Sequence, residues 1–448
     1  MGDPIVISDD SDSEWSSGYA AWHRPPRSDD QRPQPIPPAK VQIVLNTIEA
    51  SFPEATVQCL SEFVTACFYP PREILAHVIH NILLSPEIGN LLDETCKLLT
   101  KIQELHPATI TQVEWDWELL TFVMQDHHRE LPGKIFFLRY VFKTLEDDFQ
   151  EALRQPVHQT QNSIAYALLS CDRQSHHIKD IIKWIVKTLS GPGFPLTDTF
   201  PLTDPKIKQG AQLPPMPFTR KSNNHIIVLY LQKMLALAVE VDRTPTCSSN
   251  KIAEILFLFV LNIPERNQRE AFFTSMENHL LRCKLLETLL IHSCEKPPNL
   301  PLSFAQILYF LNNASVLYGQ SGGIRWETLD ELVEHLQFLL ISYHRVLTDH
   351  LRISMGERKD MARRCRPPTQ QGNDITALDI ELQIEAFRGR MLQEAGEMVP
   401  LQVEEKLFLL KLLFLQAIHG KPLLGNRFQG GNLMGGSSLL GQEFPEHM

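Results

Sequence analysis

The sequence predicts an all-α protein: an irregular helical, solenoid-like body with disordered N- and C-terminal tails. Three observations predict it. Apolar residues recur every three or four positions over long stretches, start signals for helices are frequent, and period-two alternation bounded by hairpin turns is nearly absent. A chain of 448 residues with 43% hydrophobic and 21% charged residues can bury a sizeable core.

Residues 1–38 are rich in Ser, Asp, Pro and Arg, with Trp15, Tyr19 and Trp22 as isolated aromatics. This composition predicts a disordered tail that ends in the proline-rich run Arg32 to Pro38. A helical subdomain follows over 39–189. Its start signals are capping boxes at Ser51…Glu54 and Thr111…Glu114, and Ser85 ahead of Pro86 and Glu87. Within it, 132–153 carries Ile135, Leu138, Phe142, Leu145, Phe149 and Leu153 at helical spacing. Residues 190–222 hold seven prolines and the duplicated Phe-Pro-Leu-Thr-Asp of 194–198 and 200–204, which reads as a functional insertion or a linker.

A second helical subdomain spans 223–420, with a capping box at Ser303…Gln306. The stretch 326–353 repeats Leu329, Leu332, Leu336, Leu340, Tyr343 and Leu347. Unbroken, that helix is about 42 Å long at 1.5 Å per residue. Residues 252–263 and 404–418 are apolar nearly all round, so they lie at the centre of the body or are buried by another chain. The tail 421–448 is Gly-rich and expected to be disordered. No fixed repeat of 30 to 45 residues is visible, so the stacking is expected to be irregular.

Charge and cysteine usage narrow the class. With 42 basic against 53 acidic residues, a net charge of −11 argues against nucleic-acid binding by the chain as a whole. Eight cysteines stand singly without a C-x-x-C, and the N-terminus does not read as a signal peptide, which predicts reduced thiols in a nuclear or cytoplasmic compartment. The apolar runs 252–263 and 407–415 are interrupted by Glu254 and Lys411 and are too short to span a membrane.

Motifs for catalysis are missing: no phosphate-binding Gly-rich loop, nucleophile elbow or H-E-x-x-H occurs. No catalytic residue, metal or cofactor is therefore assigned, and the protein is expected not to be an enzyme. His77 and His80 share a helical face, yet no third ligand stands at metal spacing. His127-His128 and His176-His177 point to different helix faces and read as capping or solvated groups. Cys283 and Cys294 read as small core residues, and Glu381 with Glu385 as a solvated helix side. Trp115 and Trp117 read most simply as core residues; two apart on a helix they cannot easily face the same core, and the alternative places one of them at an interface. The basic stretch 358–366 has two readings: an import signal or phosphate-contacting patch, or a solvated loop that also holds Glu357 and Asp360.

The segment that points to function is 4–14. Ile5, Val6 and Ile7 favour an extended conformation and run into Asp9, Asp10, Asp12 and Glu14, with Ser8, Ser11 and Ser13 between the acids. A strip of this kind adds as a strand to an exposed sheet edge, and the acidic tail supplies charge that aids encounter and register. It is the pattern of a SUMO-interacting motif. Phosphorylation of Ser8, Ser11 or Ser13 would add about 1.5 to 2 negative charges each.

With this motif, the helical stretches Val113 to Leu120 and Leu329 to Leu336 give the chain a resemblance to a family of SUMO-interacting-motif-containing helical scaffolds similar to non-SMC element five subunits. The resemblance implies a nuclear adaptor, present also in the cytoplasm, that binds SUMO or SUMO chains. It further implies pairing with a non-SMC element six-like helical protein, and through it recruitment of the SMC five/six complex to chromatin or viral replication centres. An alternative from the same resemblance is a platform that binds and restrains a calpain-type cysteine protease. A different class is a DNA-binding protein using 358–366. Longer relatives carry several SUMO-binding strings and this chain shows one good copy, so avidity for SUMO chains requires copies from a partner.

Overall fold

The computed structural model describes residues 33–87, 89–107, 114–125, 131–154, 163–190, 220–242, 245–298, 301–315, 326–357, 372–395 and 399–419. Among these the protein is all-α, with sixteen α-helices and one minimal pair of strands. The strands come first: β1 (Gln34–Pro35) runs parallel to β2 (Phe68–Tyr69). Gln34 N–H donates to the Cys67 carbonyl at 2.8 Å and Ile36 N–H to that of Tyr69 at 2.9 Å, while Ile36 is buried. Gln34 to Pro38 thus belong to the folded body, although composition predicts that run to be disordered. Pro35 is tolerated there because a two-residue edge strand needs few donors.

Helices α1 (Pro38–Glu49) and α2 (Pro53–Phe63) form a hairpin. The predicted capping box at Ser51…Glu54 does not form. Ser51 takes a φ of 58° in the turn, Phe52 occupies the N-cap, and Pro53 opens α2 with its missing N–H at a position that needs none. Next comes α3 (Arg72–His77), which widens into a π-helical turn over Val78–Leu83. Ser85 begins no helix; its Oγ accepts from Glu87 N–H at 3.4 Å, ahead of a short 3₁₀ turn at Gly89–Leu91.

Beyond that turn lie α4 (Leu92–Leu105), α5 (Trp117–Gln125) and α6 (Lys134–Arg154). Thr111 lies outside the described residues; Asp116 Oδ1 accepts from Leu119 N–H at 2.8 Å at the start of α5. Trp115 therefore precedes the helix, which frees it from the i, i+2 constraint. It is buried, and Trp117 stacks on His177 with centroids 3.8 Å apart and on Trp184 at 5.7 Å. In α6 the core face is centred on Phe137, Val141, Thr144 and Leu145, with Leu138 and Phe149 beside it. Ile135 and Phe142 are half-buried and Leu153 is exposed, so the predicted stripe is rotated from the true one.

Gly133 permits the approach of α6 to the π-helical turn, since a methyl there would stand 1.8 Å from the Leu83 carbonyl oxygen. Gly133→Ala is expected to force the two backbones apart at a cost of about 1–3 kcal/mol. Thermal unfolding with an unchanged midpoint would contradict this contact.

The chain continues through α7 (Ile164–Leu169), α8 (Ser175–Ser190), α9 (Arg220–Glu240) and α10 (Pro245–Val260). The Pro-rich 191–219 lies outside the described residues, but α8 and α9 on either side of it pack together. The buried Asp242 ties this junction. Its carboxylate accepts from Ser170 Oγ (2.8 Å), Cys171 N–H (3.1 Å) and Ser248 Oγ (2.9 Å), joining the ends of α7 and α9 to α10. One hydrophobic core runs through helices on both sides of the Pro-rich segment.

The last third comprises α11 (Arg266–Ser275), α12 (His279–Ser293), α13 (Phe304–Asn313), α14 (Trp326–Glu357), α15 (Ala377–Ala395) and α16 (Leu401–Ile418). Ser303 caps α13 as expected, accepting from Gln306 N–H at 3.2 Å. Packing passes from α10 to α12, α14 and α16, an irregular stack in which each helix meets one two elements away. The long α14 is its central member, with Leu329, Leu332, Leu336, Leu340 and Tyr343 all buried and Leu347 half-buried. In α10, Ile252, Leu256 and Val260 enter the core while Leu258 remains exposed.

Candidate functional site

Ile5, Val6, Ile7, Asp9, Asp10, Asp12 and Glu14, with Ser8, Ser11 and Ser13, lie outside the described residues, as do His127, His128 and the basic stretch 358–366. The body shows where the leading peptide joins it, at the strand formed by Gln34 and Pro35, and which helical surfaces the other described residues leave exposed.

Among the described residues, most of the exposed large apolar side chains lie on the α15–α16 hairpin. Asp379 and Thr376 build a reciprocal cap at its start: Asp379 Oδ2 accepts from Thr376 N–H (2.8 Å) and Oγ1 (2.7 Å), and Asp379 N–H donates back to Thr376 Oγ1 (3.2 Å). Hydrogen bonding to Thr376 holds the Asp379 carboxyl below its ordinary value. Ile380, Ile384, Phe387 and Met391 of α15 and Val403, Leu407, Leu410 and Phe414 of α16 turn into the core. Ion pairs link the two helices: Glu381 with Lys411, and Arg388 with Glu404 (2.6 Å), Glu385 also reaching Arg388. Glu381 thus serves helix pairing, while Glu385 is exposed and pairs only within its own helix. Because 381 meets 411 and 388 meets 404, the helices are antiparallel.

Outward residues follow from the same geometry. On α15, Leu378, Leu382 and Leu392 share one stripe with Gly389, over which a methyl would meet only open space. On α16, Leu401, Phe408 and Leu412 form the matching stripe. In both helices the stripe lies on the side of the ion-pair line away from the core, with the exposed Glu385 and Glu405 set among its apolar residues. Leu401 is 74% exposed and Phe408 59%, far more than an apolar core position tolerates. Large apolar side chains exposed in a group mark candidate interaction sites. The all-round apolar pattern of 404–418 therefore divides: one side is core, the other faces outward. The α15 stripe went unrecognised in the sequence, although Thr376…Asp379 and the four-residue spacing of Leu378 and Leu382 signal it.

Other predicted groups have structural roles. His177 is buried, and its Nδ1 donates to the Leu168 carbonyl at 2.8 Å; burial, the largest effect, lowers its pKa. His176 is exposed, so the adjacent pair does divide between faces, with one member in the core. Asn81 donates its amide to His77 Nδ1 at 2.8 Å, and the π-helical turn carries His80 outward. Cys283 and Cys294 are buried, and burial raises both thiols. Among the described residues, no group of three or more His, Cys, Asp or Glu is placed to hold a metal ion, and no helix is long and apolar enough to cross a membrane. No protein-family model matches the chain.

Proposed function

We propose that this protein is a non-enzymatic adaptor that holds SUMO on its leading peptide and a helical partner on its body. Ile5, Val6 and Ile7 add as a strand to the SUMO sheet edge, Asp9, Asp10, Asp12 and Glu14 face its basic rim, and phosphorylation of Ser8, Ser11 and Ser13 tunes the charge. A non-SMC element six-like helical protein docks on the α15–α16 face and brings the chain to the SMC five/six complex. The observation that carries the reading is the apolar triplet followed by acids. The outward leucines at helical spacing support the second half, because they suit an apposed helix, with Gly389 allowing close backbone approach.

Burying the three apolar side chains contributes roughly 1.5 to 3 kcal/mol each, and ordering the peptide takes back about 2 to 5 kcal/mol. The remainder corresponds to affinity around the micromolar level. Replacing Ile5, Val6 and Ile7 together by alanine is expected to abolish SUMO retention in pull-downs from nuclear extract, with thermal unfolding of the body unchanged. Leu382→Glu with Phe408→Glu is expected to do the opposite, keeping SUMO and losing the helical partner. A triple-alanine chain that retains SUMO as well as the parent disproves the motif.

A further inference from the structure

The outward positions of the α15–α16 hairpin keep a heptad spacing. On α15 the exposed Leu378, Leu382, Glu385, Gly389 and Leu392 recur four and three residues apart, and on α16 Leu401, Glu405, Phe408 and Leu412 do the same. This is the a/d spacing of a helix that packs on another helix. It lies across the helix from the stripe that already enters the core, Ile380, Ile384, Phe387 and Met391 on α15. Each outward seam holds one carboxylate, Glu385 or Glu405.

The two carboxylates share a level of the hairpin. The pairs Glu381–Lys411 and Arg388–Glu404 set the register. That register puts Glu405 opposite Phe387, within about 3 Å of Glu385 along the axes at 1.5 Å per residue. Leu382 and Phe408 stand on one side of this level, and Gly389, Leu392 and Leu401 on the other. The four basic residues of the two helices leave the level acidic. Lys406 reaches Asp330 (2.8 Å) and Glu334 (3.6 Å) on α14, Lys411 pairs with Glu381, and Arg390 donates to the carbonyls of Leu311 and Asn312 on α13. Arg388 donates Nε and Nη2 to Glu404 and Nη1 to Glu385. One guanidinium thus serves two carboxylates, and the exposed Glu405 adds a third.

An acidic level between apolar ends discriminates among occupants. A second copy of this chain docked face to face would bring like charges together there, which disfavours self-association. A basic residue within an apolar a/d stripe is attracted instead, and a charged residue at such a position fixes register. We propose that the α15–α16 face docks an amphipathic helix of another protein that carries a Lys or Arg in the middle of its apolar stripe. The cation lies between Glu385 and Glu405, and apolar side chains three or four residues to either side pack on Leu382 with Phe408 and on Leu392 with Leu401. Gly389, where a methyl would meet only open space, gives the docked helix room. This rests on the reading that a helical partner docks here and names the chemistry of that partner.

The test measures binding of a dye-labelled synthetic helix of about three heptads to the full chain by fluorescence anisotropy. The peptide has leucine at a and d except for one central lysine, and a second peptide has glutamate in its place. The parent chain is expected to bind the Lys-centred peptide about tenfold more tightly than the Glu-centred one, and Glu385→Lys with Glu405→Lys to reverse the preference. Unfolding cannot produce a reversal. Glu405→Lys alone, which leaves the Glu385–Arg388–Glu404 contacts in place, is expected to remove the preference and decides the matter if the double variant is loosened. Equal affinity of the parent for both peptides, an unchanged preference in the variants, or no binding of the Lys-centred peptide at about 100 μM overturns the proposal. A dimeric parent chain that Leu382→Glu with Phe408→Glu turns into a monomer also overturns it, because a second copy then fills the face. Loss of the helical partner in that apolar variant but not in the charge-reversed chain sinks the acidic level alone and leaves the docking face standing.

Discussion

Replacing Arg269 by alanine will destabilise the helical body by about 3–5 kcal/mol, the range for removing one partner of a buried ion pair. Arg269 on α11 and Glu331 on α14 have side chains only 6% exposed. Arg269 Nε and Nη2 donate to the two oxygens of Glu331 at 2.6 and 2.8 Å, a bidentate arrangement. Its Nη1 also donates to the carbonyls of Ile263 and Pro264, at 2.8 and 2.9 Å, closing the turn after α10. Alanine removes all of these at once and leaves Glu331 buried without its cation. The more exposed neighbours Arg266 and Lys406, which share Asp330 and Glu334, are expected to matter less because water screens them. Denaturant titration of Arg269→Ala against the parent checks this, and a midpoint that does not move would show that the pair contributes little.

The second large effect is the response to acid at His335. Burial, the largest effect, holds this imidazole down to about 4; the attraction of Glu331 opposes burial, and Arg269 and Arg266 add to it. Its folded pKa is thus below the ordinary 6.5. Above pH 6.5 neither state is protonated and stability is complete. As pH falls from 6.5 towards 4, the unfolded chain takes up a proton that the folded chain refuses, and stability drops by about 3 kcal/mol. His335→Leu should flatten this part of the stability–pH curve by about one proton's slope. Denaturation midpoints measured from pH 4 to 8 in both chains test it, and parallel curves would refute it. The two effects are coupled: once Arg269 is gone, Glu331 faces His335 without competition. Arg269→Ala is therefore expected to cost less at pH 5 than at pH 8, because the imidazole can then ionise and pair.

The helices were legible because burial imposes a period on the sequence. Leu329 to Tyr343 predicted the core line of α14, and Ser303…Gln306 predicted the cap of α13. Local signals failed where a stronger neighbour decided the geometry. Pro53 started α2 in place of the Ser51 box, and Gly133 with the π-helical turn set how α6 meets α3. The rotation of α6 could not be read from spacing, because Phe136, Phe137 and Phe142 offer two apolar stripes and the choice between them depends on which helices pack alongside. Likewise, that His177 stacks on Trp117 required knowing that α5 and α8 are neighbours.

The sequence by itself determined the all-α class, the positions of the long helices and the acidic-apolar string at 4–14, since periodicity and composition are local properties. Tertiary structure alone decided three things. It placed both sides of the Pro-rich segment on one core through Asp242, seated a buried Arg269–Glu331 pair, and turned one side of α15 and α16 outward. Each depends on which surfaces meet across long stretches of chain. A helix apolar on all sides carries no mark of which side its neighbours will cover.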